Sequence, residues 1–230
     1  MPTCNAARVC IFLTCLAGTK TCAAADLPTG FVRLAAVAPA ILQDIRYAGS
    51  DNFTGRPVPG YGAPACWLRK DAAEALSKVE KDLAANGLGL IVYDCYRPQR
   101  ATDAFLRWAA DPGDQSAKAS FYPNVDKRTL FAYGYIAQRS SHSTGTAVDV
   151  ALVRLAEGAV PKGLDFGTPF DRFDPRSATA SPAIASEARQ NRESLVAVMG
   201  RYGFENYRNE WWHFSLRTAG ATTTFDVEIK

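Results

Sequence analysis

The stretch from residue 69 to residue 95 constrains this chain most. Ala73, Leu76, Val79 and Leu83 recur at helical spacing and form one apolar stripe, and Gly87 supplies a C-terminal stop. A helix over 69–86 is therefore expected. Residues 88–95 (LGLIVYDC) follow at once as an apolar run of strand length, ending at Tyr96-Arg97-Pro98. The rest of the chain does not repeat this helix-then-strand unit at a regular interval. Residues 31–47 alternate loosely, as one or two short strands. A Gly/Pro-rich loop spans 49–64 and is long enough for a structureless connection to suggest a binding role. Pro98 opens an expected helix over 98–110, and 126–138 reads as helical despite Gly134. Residues 146–153 alternate as a strand, 186–202 form a helix stopped by Gly203, and 210–216 close the sheet. Mixed elements without a βαβ rhythm predict an α+β fold with a small antiparallel or mixed sheet flanked by helices.

The first 25 residues read differently. An apolar run at 9–18 (VCIFLTCLAG) follows Arg8 and leads to Ala23-Ala24-Ala25, the pattern of a secretory signal. The run is short for a bilayer span, and Thr19-Lys20-Thr21 ahead of Cys22 does not suit a lipoprotein site. An exported, periplasmic protein without a stable membrane anchor is expected, with residues 26–230 forming a single domain. Cys66 and Cys95 are the two cysteines beyond the signal. In an oxidising compartment they point to one disulfide, with two buried free thiols as the alternative. A net charge of +3 and the lack of a basic block interleaved with aromatics argue against nucleic acid as a partner. Oligomeric state is not legible.

The chain has only two histidines. His142 lies in Ser140-Ser141-His142-Ser143-Thr144-Gly145-Thr146-Ala147-Val148-Asp149, and His213 ends Glu210-Trp211-Trp212-His213. Imidazole and carboxylate are proper zinc ligands, and three of them leave a fourth position open for water. Thr144-Gly145 signals a turn, so His142 can sit on a loop while Asp149 projects from the following strand, with Ala147 and Ala151 on its face and Val148, Val150 and Leu152 toward the core. Glu210 and His213, three apart, fall on opposite faces of a regular strand. If both act in one site, Glu210 lies on an irregular entry to that strand, where it serves as a general base and not a ligand. Each pattern alone also fits ordinary packing: a core histidine bonded to an aspartate, or a surface acid beside two tryptophans.

Taken together and in order, these segments resemble the D-alanyl-D-alanine dipeptidases, which are zinc peptidases. The resemblance rests on Ser140-Ser141-His142 with Gly145, Ala147 and Asp149, on Asp94-x-Tyr96-Arg97-Pro98, and on Glu210-Trp211-Trp212-His213. It extends to Asp51-Asn52-Phe53-Thr54-Gly55, Phe121-Tyr122-Pro123-Asn124 and Gly167-x-x-Phe170-Asp171, covering most of 40–217. It implies a fold like that of DD-peptidases and hedgehog-type domains, and one Zn2+ on His142, Asp149 and His213. It also implies Glu210 as catalytic base and acid, with Arg97 steadying the tetrahedral intermediate. Asp171 and Tyr47 match positions at the substrate's amino end, and Tyr61 and Ser140 match further pocket positions. The implied substrate is a small dipeptide. A carboxypeptidase or endopeptidase acting on peptidoglycan stems, or a non-catalytic metal-containing module, is the alternative on the same scaffold.

Overall fold

In the computed structural model the described residues are 27–156, 158, 160–218 and 222–230. The expected export segment, with Cys4, Cys10, Cys15 and Cys22, lies outside them. The chain runs through β1 (Phe31–Arg33), α1 (Leu34–Val37), β2 (Leu42–Gln43), β3 (Trp67–Arg69), α2 (Lys70–Ala84), β4 (Leu88–Asp94) and α3 (Gln99–Ala110). It continues with α4 (Lys118–Phe121), β5 (Ala147–Arg154), β6 (Lys162–Gly163), α5 (Ser186–Arg201), β7 (Phe204–Asn206) and β8 (His213–Leu216). The fold is α+β.

The stripe on α2 is buried as its spacing dictates, with Ala73, Leu76 and Val79 fully covered. It packs against β4 and against α5, which Gly203 ends at a positive φ of 86°. The main sheet has the order β2-β4-β5-β8-β7, with β6 on β5, and only the β2–β4 pair is parallel. β1 and β3 form a separate antiparallel pair. β5 sits centrally and is buried along both faces up to Arg154, so its alternation does not appear as alternating exposure. Of its residues only Asp149 reaches the main cavity; Ala151 packs in the core.

Register places the chemistry. Asp149 stands opposite His213 of β8 on one side. On the other side, the ladder shifts between Val92 and Asp94, so that Asp94, not Tyr93, stands opposite Asp149. Facing residues on paired strands share a face, so this bulge turns Asp94 toward the same side as the histidine.

Two expected elements are corrected. Residues 126–138 contain a single 3-10 turn, Lys127–Thr129, and then bends. Gly134 has φ 77°, which ends helical geometry, and Phe131 and Tyr133 are exposed, so no helical stripe is buried there. The closing strand begins at His213, not at 210. Short strands within 31–47 are present, with Leu34–Val37 forming a helical turn between them.

Candidate active site

Segments from across the chain converge on one cavity of about 280 Å³. The first is the turn Ser141–Thr144. Ser140 caps it, its Oγ accepting from the His142 N–H at 3.2 Å, and Gly145 closes it at φ 78°. A side chain at 145 would strike the Phe31 ring at 2.3 Å, so this position requires glycine on two counts. The turn buries His142 to 1% exposure.

The His142 ring is fixed by its surroundings. Nδ1 lies 2.6 Å from the Cys95 carbonyl oxygen, which can only accept, so Nδ1 carries the proton and Nε2 presents a lone pair. Nε2 faces Asp149 Oδ1 at 3.2 Å and His213 Nδ1 at 3.0 Å. His213 Nδ1 is also 3.0 Å from Asp149 Oδ1, while its Nε2 faces the hydroxyls of Ser141 and Ser215 at 3.3 and 3.4 Å. With His213 in the tautomer that donates from Nε2 to Ser141 or Ser215, three lone-pair atoms point at one another, all within 4.8 Å. Such a group is satisfied by a cation at its centre, and two imidazole nitrogens with one carboxylate oxygen is a zinc-type donor set. The residues fit the metal. Despite burial, which opposes ionisation, the adjoining imidazoles hold the Asp149 carboxyl well below the usual carboxylate range. Burial lowers His213, favouring the neutral ring a ligand needs.

Arg97 enters from the other side. Its Nε and Nη2 both donate to Asp94 Oδ2, at 2.9 and 2.7 Å, and Nη2 lies 3.9 Å from Asp149 Oδ2. The guanidinium rests over the rings of Tyr47 and Phe105, at 5.2 and 5.0 Å from their centroids. Burial would lower its pKa, but Asp94, Tyr47, Tyr61 and Asp149 together outweigh this and hold the group well above its ordinary value. The remaining oxygen of Asp94 accepts from Tyr61 Oη at 2.6 Å and from the Cys95 N–H at 2.9 Å. Tyr61 therefore stands behind the site, holding Asp94, and does not line the cavity. Asp94 received no role of its own in the sequence reading; its spacing of three from Arg97 just past a strand end was the available signal.

Tyr47 and Asp171 meet across the cavity, Tyr47 Oη donating to Asp171 Oδ2 at 2.7 Å. Asp171 adopts φ 61°, the one described non-glycine residue with positive φ. Burial, reinforced by Asp149, pushes its carboxyl up to about 8, against the opposing pull of the Tyr47 hydrogen bond and Arg97. Loop 49–64 contributes Phe53. Buried Asn52 organises it, donating to the Gly49 carbonyl at 2.8 Å and accepting from the Thr54 N–H at 2.9 Å.

Glu210 lines the same cavity from the turn before β8. Its carbonyl accepts from the His213 N–H at 3.3 Å, and its N–H donates to the Tyr207 carbonyl at 2.9 Å. Both residues thus face one site although they are three apart. Burial, with Asp149 and Asp171 nearby, holds the Glu210 carboxyl well above the usual range while Arg97 opposes. Tyr135, Ile136, Phe173 and Tyr207 also line it, and the sequence carried no signal that singled them out, whereas Trp212 lies within the Glu210-Trp211-Trp212-His213 motif. Cys66 and Cys95 form a disulfide beneath this layer.

Comparison with known proteins gives a consistent picture. The family model described as D-ala-D-ala dipeptidase, Peptidase_M15, matches residues 28–229. A D-alanyl-D-alanine dipeptidase of Enterococcus faecium is 41% identical over 202 residues, covering 87% of this chain and 98% of that protein. One from Enterococcus faecalis is 40% identical over 190 residues, covering 83% and 93%. Among solved structures, a zinc complex of the vancomycin-resistance D,D-pentapeptidase VanY aligns with a TM-score of 0.39 at 17% identity, covering 66% of this chain and 73% of that one.

Proposed function

The chain belongs to the D-ala-D-ala dipeptidase family of metallopeptidases, and from that premise we propose that it hydrolyses D-alanyl-D-alanine to two D-alanines, using one zinc ion held by His142, Asp149 and His213. The observation that carries this reading is the meeting of His142, Asp149 and His213 with a carboxyl and a guanidinium in one small cavity. Zinc bound there supplies Lewis acidity, polarising the peptide carbonyl and making a water acidic near neutral pH.

The protein's own groups do the rest. Glu210 takes a proton from the attacking water as the water oxygen bonds to the peptide carbon, and passes it to the leaving nitrogen as the C–N bond breaks. Its raised proton affinity suits the second half of that exchange. Arg97, locked by Asp94, directs a fixed cation at the oxygen that gathers charge in the transition state. Asp171, with Tyr47 beside it, receives the substrate's ammonium group, whose charge favours the ionised carboxylate. Ser140, at the cavity's edge, shapes the end nearer the turn. Phe53, Phe105, Phe173 and Trp212 bound a space suited to a free dipeptide more than to a long stem.

Export to the periplasm completes the proposal. The apolar segment at 9–18 and the bond between Cys66 and Cys95 support the exported location. Purified protein assayed on D-Ala-D-Ala, L-Ala-L-Ala and a stem pentapeptide, with and without a chelator, tests it. Hydrolysis restricted to D-Ala-D-Ala, lost to the chelator and restored by zinc, is the expected result. Equal or faster cleavage of the pentapeptide, or turnover indifferent to the chelator, would overturn it.

A further inference from the structure

The Cys66–Cys95 disulfide lies where two parts of the molecule meet at the site. Cys66 directly precedes β3 in the small β1–β3 pair, and Cys95 directly follows β4 in the main sheet. Cys66 is itself well anchored, its N–H donating to Gln43 Oε1 at 3.0 Å and its carbonyl accepting from the Leu34 N–H at 2.9 Å. Cys95 is not held by a ladder, since the β4–β5 register shifts after Val92 and ends at Asp94. Yet its carbonyl is the group that receives His142 Nδ1 at 2.6 Å. A rival acceptor is close: Asp94 Oδ2 stands 3.4 Å from the same nitrogen and is already engaged by Arg97.

We propose that the disulfide is a positioning device for the metal site, holding the Cys95 carbonyl on His142 Nδ1 so that the ring keeps Nε2 aimed at Asp149 and His213. This rests on the reading of His142 as a zinc ligand. With the bridge intact, the Cys95 backbone is tied to an anchored residue of the other sheet. With it gone, residue 95 keeps only its N–H on Asp94 Oδ1 and its carbonyl on His142. The tie to the β1–β3 pair passes to the neighbouring Tyr96 N–H on the Trp67 carbonyl, and His142 gains freedom to turn toward Asp94. That turn would draw Asp94 away from Arg97, so one displaced carbonyl disturbs both the metal ligand and the cation opposite it. Both cysteines are buried, at 1% and 2% exposure, which suits a permanent brace better than a redox sensor.

The test compares Cys66→Ala/Cys95→Ala with Leu76→Ala, a destabilising change on the far face of the protein. Zinc affinity is measured by competition with a chromophoric chelator, below the melting temperature of both variants. The double cysteine variant is expected to bind zinc about 10- to 100-fold more weakly, the usual cost of losing a group that orients a ligand, while Leu76→Ala keeps wild-type affinity. Unchanged affinity in the double variant, or an equal loss in both, would overturn the proposal. Imidazole 15N spectra of the metal-free proteins give a second readout, readable because the chain has only two histidines. His142 is expected as the Nδ1–H tautomer in both proteins, with its Nδ1 resonance displaced in the double variant as the acceptor changes from the Cys95 carbonyl to the Asp94 carboxylate; identical spectra count against the idea. Reducing the wild-type disulfide with a phosphine repeats both measurements without changing a side chain, and a chain that unfolds by either route also counts against it. If the wild type takes up no zinc, the proposed function fails while the spectra still decide what the bridge does.

Discussion

The two faces of the main sheet are built from different materials. On one, α2 and α5 lay Leu76, Val79, Leu83, Leu195, Val198 and Met199 against Leu90 and Val92, and the polar group that intrudes, Glu80, is occupied by the Leu90 N–H at 2.7 Å. At the other, the same strands end in Asp94, Asp149 and His213, joined by Arg97, His142, Asp171 and Glu210. Burying apolar surface stabilises a fold at roughly 25 cal/mol per Å². Burying charge is unfavourable unless each group has a partner, and here Asp94, Asp149 and Asp171 each have one only because another group of the site supplies it. The aliphatic face stabilises the domain, and the charged face depends on that stability while carrying the chemistry.

Breaking a pair on the charged face should therefore cost more than cutting an equal volume from the aliphatic face. Asp94→Ala leaves Arg97 buried without its partner. We expect a loss of about 3–5 kcal/mol in denaturant-measured stability, with kcat/KM down by at least about 100-fold. Leu76→Ala should cost about 2–5 kcal/mol through its cavity and leave kcat, KM and zinc content unchanged. Tyr61→Phe removes one hydrogen bond to Asp94 and keeps the ring, so a loss of about 1 kcal/mol with a moderate fall in kcat sharpens the distinction between holding Arg97 and touching substrate.

The smallest effect concerns Asp174 at the rim of this face. Its Arg176 hydrogen bond holds the carboxyl down at about 2 in the folded chain. The folded value lies below the unfolded one, so the pair's stabilisation is fully present above about pH 4 and is lost as pH falls toward 2. Asp174→Asn should then lower the denaturation midpoint at pH 6, with the gap to wild type narrowing below pH 4. A gap independent of pH would assign the effect to packing.

The same contrast explains what could be read in advance. The α2 stripe, the β4 run and the α5 stop at Gly203 follow from periodicity and local stereochemistry, and they form as expected within a residue or two. His142, Asp149, Glu210 and Arg97 share a cavity, and their segments were visible as motifs, but the geometry that unites them is tertiary. The bulge at Val92–Asp94 that turns Asp94 inward leaves no mark in composition. Nor does the role of Tyr61, 33 residues from its partner. The segment 126–138 reads as helical from sequence despite Gly134, and it is not a helix. What orders it is non-local, as when Lys127 donates to the carbonyls of Asp111 and Asp114 at 2.8 Å and lies 3.9 Å above the Trp108 ring.

In the proposed mechanism zinc and Glu210 are separable parts of one hydrolytic site. Glu210→Gln keeps the size of the side chain and removes its ability to carry a proton away from water. Zinc content and D-Ala-D-Ala turnover measured on the same preparation test the claim most directly. The account predicts one equivalent of zinc, as in the wild type, with kcat reduced by about 100-fold or more. Full activity in the zinc-loaded variant would contradict it.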